Sequence, residues 1–381
     1  MPFWQREVLR DAVSMTFAQT HELDLPKTGL LGSLVLYISS SENGTPFVGA
    51  VPKWRLIDYI SKIEVIGDGA EVIKSFDGLE ALASALYDDG QEPPSMWRTY
   101  SSTPHRQWIP IHFGRKLMDE IYGLDLSRFD QVTLKITNDA SSTYFTTDIK
   151  LTVIAYWLRG AALSFAGYFR DEVWKSWLPV AAAIEYSELP VSLPIRRIVL
   201  EARPARTTTT CKNVHTMISL MSDIELTFKT GQVRVFKGSL FHLGMLSIQE
   251  LGRHVETRGF VDKNSTLGFE CGVGYVLQNM GAWCADGTYT TVLGNMMKDV
   301  QDSAQEIAYH TANGLLGWAV RGFGYCHTVP LFIARKPDLD DLLDPETNKV
   351  VKLDILTEAG LTLTGTARDA RNAIILSRLV R

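Results

Sequence analysis

Short runs in which apolar and polar residues alternate, separated by glycine, proline and acidic turns, recur along this chain at residues 31–39, 57–66, 72–76, 131–137 and 148–158. A period of two marks a strand with one buried face. In Val132-Thr-Leu-Lys-Ile-Thr137, Val132, Leu134 and Ile136 share one face, and the polar residues take the other. Strands of this kind predict a sandwich whose two sheets press their apolar faces together.

The pattern occurs twice in order. Ile60-Ser-Lys-Ile-Glu-Val, with Gly69, Val72, Phe76-Asp-Gly78 and Leu79, Leu82 and Leu86, resembles Met221-Ser-Asp-Ile-Glu-Leu, with Gly231, Val233, Phe236-Lys-Gly238 and Leu240, Leu243 and Leu251. Each reads as strand, glycine turn, strand and short apolar helix. Ile109-Pro-Ile-His-Phe-Gly-Arg-Lys116 likewise resembles Val329-Pro-Leu-Phe-Ile-Ala-Arg-Lys336, and a strand follows in both, Val132-Thr-Leu-Lys-Ile and Val351-Lys-Leu-Asp-Ile. The offset is about 160 for the first match and 220 for the second, which predicts some 60 extra residues in the second copy.

Two copies of one β domain imply boundaries at an N-terminal arm 1–23, a first domain 24–158, a connector 159–195, and a second domain 196–381 with an insertion about 244–328. In the arm, Trp4, Val8, Ala12 and Met15 on one side and Arg6 and Arg10 on another predict a partly helical segment. The connector holds Val173-Trp-Lys-Ser-Trp-Leu178 and ends in two Leu-Pro pairs, which suits a packed segment better than a flexible one. In the insertion, Met296, Val300, Ala304, Ile307 and Thr311 before Asn313-Gly314 predict a helix.

The length of 381 residues suits two cores, and a net charge of -5 leaves no basic surface for neutralising phosphates, so no specific nucleic-acid binding is expected. Four scattered cysteines, Cys211, Cys271, Cys284 and Cys326, lack metal or dithiol spacing and read as reduced thiols of a chain made in a cytoplasm. Residues 151–169 are apolar enough to raise a membrane span, but Arg159 interrupts them.

No motif assembles a reaction centre, so the expectation is no enzyme, no catalytic residue, no cofactor and no metal. The eight histidines include no His-x-His pair of the metal-binding kind. A Gly-x-Ser-x-Gly elbow is absent. Gly272-Val-Gly274 and Gly322-Phe-Gly324 do not complete a dinucleotide loop and read as turn or strand glycines. Acidic pairs at Asp88-Asp89 and Asp340-Asp341 read as solvated turns unless they face each other across a cleft. Trp97, Trp108, Trp157, Trp174, Trp177, Trp283 and Trp318 would serve as core or interface anchors, or as a sugar-stacking platform in a glycan-binding or glycan-processing β-sandwich protein.

With the repeat established, Leu25-Pro-Lys-Thr-Gly-Leu-Leu-Gly-Ser-Leu-Val-Leu, Ile63-Glu-Val-Ile-Gly-Asp-Gly-Ala-Glu-Val-Ile, Gln107-Trp-Ile-Pro-Ile-His-Phe-Gly-Arg, Gly123-Leu-Asp-Leu and Val132-Thr-Leu-Lys-Ile resemble successive strands of the double jelly-roll major capsid proteins of tailless icosahedral viruses, the adenovirus and membrane-containing bacteriophage lineage. The resemblance implies an all-β fold of two tandem eight-stranded jelly-roll β-sandwiches, related by roughly a sixfold-like turn, with short helices in loops. It implies a structural shell protein located in the virion. Three chains would form a homotrimer with pseudo-hexagonal outline, meeting penton and minor capsid proteins. The arm would touch an internal membrane or the shell interior, or dock on its own domain. The insertion, with Trp283, Trp318, Phe323 and Tyr325, would lock the trimer or cap its own sandwich.

Overall fold

The computed structural model describes residues 1–41, 55–96, 104–142, 145, 147–160, 163–204, 216–229, 231–263, 269–270, 273–284, 306–307, 314–333, 342–343, 349–359 and 370–381. Its first half contains β1 (Phe3–Met15), β2 (Thr20–Asp24), β3 (Leu30–Ser41), β4 (Ile60–Gly67), β5 (Glu71–Phe76), helix α1 (Gly78–Asp89), β6 (Pro104–His112), β7 (Val132–Asn138) and β8 (Ile149–Arg159). Its second half repeats the series as β9 (Tyr168–Trp177), β10 (Ile184–Glu188), β11 (Ile195–Arg203), β12 (Asp223–Phe228), β13 (Val233–Gly238), helix α2 (Leu240–Leu251), β14 (Thr328–Phe332), β15 (Val351–Leu356) and β16 (Arg371–Val380).

Each half is a jelly roll of eight strands in two sheets, and the neighbour relations are identical. The first half orders its sheets β1-β8-β3-β6 and β2-β7-β4-β5; the second orders them β9-β16-β11-β14 and β10-β15-β12-β13. Irregularities repeat as well. The β1–β8 ladder shifts register between Val8 and Arg10, and the β9–β16 ladder shifts at the corresponding place, between Val173 and Lys175. The β4–β5 ladder slips between Val65 and Ile66, and β12–β13 slips between Leu226 and Thr227. Shared bulges fix the residue equivalences that hydrophobic pattern alone leaves loose.

The helices correspond too. Asp77 caps α1 in a box with Glu80, and Ser239 caps α2 in a box with His242. Both helices end at a left-handed glycine, Gly90 at φ 69° and Gly252 at φ 70°.

Alternation in sequence becomes burial in the sandwich. Val132, Leu134 and Ile136 of β7 face inward with Leu34, Leu36 and Ile38 of β3, and Ile198 and Leu200 of β11 do the same with Leu226 and Leu353. Val199 and Ile375, on the outer face of the second half's sheet, join the first half's apolar cluster, while Ile198 and Leu200 on its inner face belong to the second sandwich's own core, so apolar packing spans the seam between two separate cores. Between the halves β5 pairs with β9 in parallel, joining β2-β7-β4-β5 to β9-β16-β11-β14 as a single eight-stranded sheet.

Two expectations are corrected. Residues 3–15 are not helical: they form β1, paired antiparallel with β8 from Phe3–Arg159 to Met15–Ile149. An edge strand needs no fully apolar face, and the ladder to β8 overrides the helical spacing of Trp4, Val8 and Ala12. The arm is therefore part of the first sandwich. The connector holds the opening strands of the second sandwich, β9 and β10, and residues 20–24 likewise pair with β7. The helix expected at 296–311 falls almost wholly outside the described residues, and Glu306–Ile307 within it are a short strand paired with Phe269–Glu270.

The second half's extra length lies between its helix and the next strand: residues 252–327, where the first half has only 90–103. It builds a three-stranded antiparallel sheet in which Gly314–Tyr325 runs between Val255–Lys263 and Val273–Cys284. Of the apolar stretch at 151–169, residues 151–159 belong to strand β8 and Tyr168 and Phe169 open β9. Among the described residues no helix is long and apolar enough to cross a membrane.

Candidate functional site at the seam between the halves

Polar side chains concentrate where the first half meets the second. Helix α1 lies against the outer face of the second half's sheet. From β11, Arg197 donates to Asp88 at 2.7 Å and to Ser84 at 2.9 Å, while Arg196 reaches Asp88 at 2.9 Å. The Tyr87 hydroxyl donates to the Thr328 carbonyl oxygen at 2.7 Å. Burial pushes the Tyr87 phenol well above its ordinary range, so it remains a donor.

At the N-terminal end of α1, one carboxylate oxygen each of Asp77, Glu80 and Glu201 lie within 4.8 Å of one another. Arg203 bonds Asp77 at 2.7 Å and also Glu201, and Arg371 bonds Glu80 at 2.5 Å. Burial, with the neighbouring carboxylates, raises the pKa of Glu80 and Glu201 against the pull of the two guanidinium groups. The cluster could superficially hold a cation, but two arginines already fill that role. It acts as an ion-paired clamp between α1, β11 and β16.

Lys74 of β5 and Asp171 of β9 form a buried ion pair where the two halves share a ladder. Further along the seam, the Tyr325 hydroxyl donates to Glu92 at 3.0 Å. Glu92 borders a cavity of about 590 Å³ with Leu86, Gly90, Arg253 and Arg321. Burial lifts the Glu92 carboxyl to about 7 despite the Tyr325 hydrogen bond and nearby Arg55.

One arrangement has the connectivity of a hydrolytic triad. Ser33 lies 2.8 Å from His112 Nδ1, and His112 Nε2 lies 2.9 Å from Asp89. Burial raises the Asp89 carboxyl, but His112 and the Leu117 amide outweigh it and hold it low. Ser33 is fully buried, opposite His112 in the β3–β6 ladder, and does not line the cavity beside Glu92. A nucleophile must meet its substrate; this relay instead ties the end of α1 to the sheet.

The residues that the sequence singles out sort accordingly. Asp88 and Asp89 are not a solvated turn but seam and relay residues, whereas Asp340 and Asp341 lie outside the described residues. The glycines of Gly322-Phe-Gly324 sit in a strand, not a phosphate loop. Among described residues no two tryptophan rings pack together: Trp108 meets Tyr37, Trp157 is buried, and Arg378 covers Trp174. Trp97 is outside the described residues, as are the side chains of Trp283 and Trp318. Phe323 and Tyr325 are buried within this chain, so they are unavailable as ring-locking contacts. Among the described side chains, Cys326 is a buried free thiol. The seam residues carry no sequence signal, because partners such as Glu80 and Arg371 meet only through the topology.

No protein-family model matches the chain, and no curated protein does. Solved structures do. The chain is similar to a chain in the atomic structure of Sulfolobus Turreted Icosahedral Virus, with TM-score 0.56 and 10% identity over 99% of this chain and 90% of that one. It is similar to the PBCV-1 virus capsid protein, with TM-score 0.52 and 11% identity over 100% and 94%. It is also similar to the major capsid protein P2 from Bacteriophage PM2, with TM-score 0.50 and 11% identity over 100% and 98%. At such identities the likeness establishes the fold: two tandem jelly rolls of the kind found in these capsid proteins.

Proposed function

We propose that this chain is the major capsid protein of an icosahedral virus, a structural protein rather than an enzyme, and that it resides in the virion shell. The observation that carries the reading is the duplicated jelly roll itself: two sandwiches with the same strand order, fused side by side through β5 and β9. The three virus structures, matched over nearly their whole length, support it. We divide the chain into sandwiches 3–159 and 168–380, the second carrying 252–327 as an insertion.

Two unequal but equivalent walls per chain let three chains present six comparable faces, so a homotrimer fills a site of local sixfold symmetry. Such units tile a flat lattice, and closing the shell would need penton and minor capsid proteins at the vertices and joints. An amphipathic arm touching a membrane is not part of this reading, because residues 3–15 are a paired strand. Native mass measurement on the full chain tests it. A trimer persisting on dilution is expected, and a monomer or dimer at every concentration would overturn it.

A further inference from the structure

From the repeat we infer that the seam inside one chain recurs between chains: β13 of one copy pairs in parallel with β1 of the next, and α2 packs on that neighbour's β3–β6 face. This rests on the shell-protein reading and adds to it the surfaces that join one copy to the next. The two ends of the chain are unmatched. Within the chain, β5 finds β9. The equivalent of β5 is β13, the equivalent of β9 is β1, and both are end strands whose outer edge is unpaired among the described residues. A ladder that closes inside the chain is thus half-present at each end of it.

The equivalences follow from the shared bulges. Lys74 opposite Asp171 becomes Phe236 opposite Arg6, and Ser75 opposite Glu172 becomes Lys237 opposite Glu7. The side chains at these two ends suit each other. Tyr168, which bonds Glu71 in the intact seam, corresponds to Phe3, and Glu71 corresponds to Val233. Phe3 is 58% exposed and Val233 44% exposed, so a polar contact within the chain is replaced by an apolar pair left bare. Glu7 and Lys237 carry opposite charges and are both exposed.

The helices tell the same story. The α1 face bearing Ala83 and Ser84 is buried or half-buried on the second half, whereas its α2 counterparts, Met245 and Leu246, are 40% and 42% exposed. Their matching surface on the first half follows from the β3–β11 and β6–β14 equivalences. Where α1 meets Glu201 and Thr328, a neighbour would offer Tyr37 and Trp108, both half-buried, whose rings pack 4.7 Å apart. The intramolecular seam is held by ion pairs; the intermolecular one is built from exposed apolar side chains flanked by complementary charge. Contacts of this head-to-tail kind form a closed ring if the rotation returns to its start, and an open chain if it does not.

The test is a full-length Glu7→Cys/Lys237→Cys variant, oxidised mildly in air with a copper catalyst, beside each single variant. Directly paired strands bring these Cα atoms within disulfide reach, about 5 Å. Chains cross-linked as dimers and trimers on a non-reducing denaturing gel, absent from both single variants, are expected. A trimeric native mass without cross-linking overturns the pairing and leaves the shell reading intact; a monomer overturns both. Leu246→Asp, exposed in the single chain and so harmless to its fold, should raise the concentration for half-dissociation at least about tenfold. An unchanged value overturns the α2 contact.

Discussion

Lys74 and Asp171, 97 residues apart, form a buried ion pair in the parallel ladder that fuses the two sandwiches. Lys74 lies over the Phe113 ring at 5.7 Å, and one oxygen of Asp171 has no hydrogen-bond partner. Burial drives the Lys74 pKa down, and Asp171 opposes the fall. A buried pair of this kind is costly to break on one side and cheap to replace on both.

Lys74→Met should accordingly destabilise the chain by about 3–5 kcal/mol, because it strands a buried carboxylate. Lys74→Met with Asp171→Leu should recover most of that loss. Denaturant unfolding of the parent, the single and the double variant measures both, and a double variant no better than the single would contradict this account of the seam.

Glu92 gives the fold a pH dependence with a definite sign. Its carboxyl sits at about 7 when folded, above the ordinary 4.5 of the unfolded chain. The folded state therefore holds the proton more tightly. Its stabilisation is full below pH 4.5 and is lost as pH rises through 7. Glu92→Gln keeps an acceptor for Tyr325 and removes the titration. It should flatten this part of the stability profile and favour the variant by up to about 3 kcal/mol at pH 8. Thermal unfolding between pH 4.5 and 8 reads the difference; parallel profiles would contradict it.

The shared sheet and the apolar packing of Val199 and Ile375 across the seam predict that the halves unfold together. Leu34 and Ile198 are equivalent, fully buried positions in β3 and β11. Leu34→Ala and Ile198→Ala should each cost about 2–5 kcal/mol. Each should lower the midpoint of one common transition in calorimetry. Two separate transitions, one moved by each substitution, would show that the seam does not couple the sandwiches.

Much of this architecture is legible in the chain. The β4–β5–α1 and β12–β13–α2 units declare themselves because each is local: strand, glycine turn, strand, capped helix. Val132, Leu134 and Ile136 alternate cleanly because one sheet face is buried and the other is not. The strands β1, β2, β9 and β10 are harder to see. β1, β2 and β10 end their sheets, and β9 meets β5 over only a short ladder; β1, β9 and β10 carry charges on both faces and β2 is only five residues long, so the alternation that marks a half-buried strand is weak. Without that signal, the opening strands of two sandwiches look like an arm and a connector. The seam is invisible for another reason: Asp77, Glu201, Arg203 and Arg371 are unremarkable singly, and only the side-by-side placement of the jelly rolls assembles them.

Electron microscopy of the purified full-length chain tests the central claim most directly. Class averages should show particles with threefold symmetry and six lobes, three pairs of unequal sandwiches in a hexagonal outline. Two-lobed particles at every concentration would contradict the account.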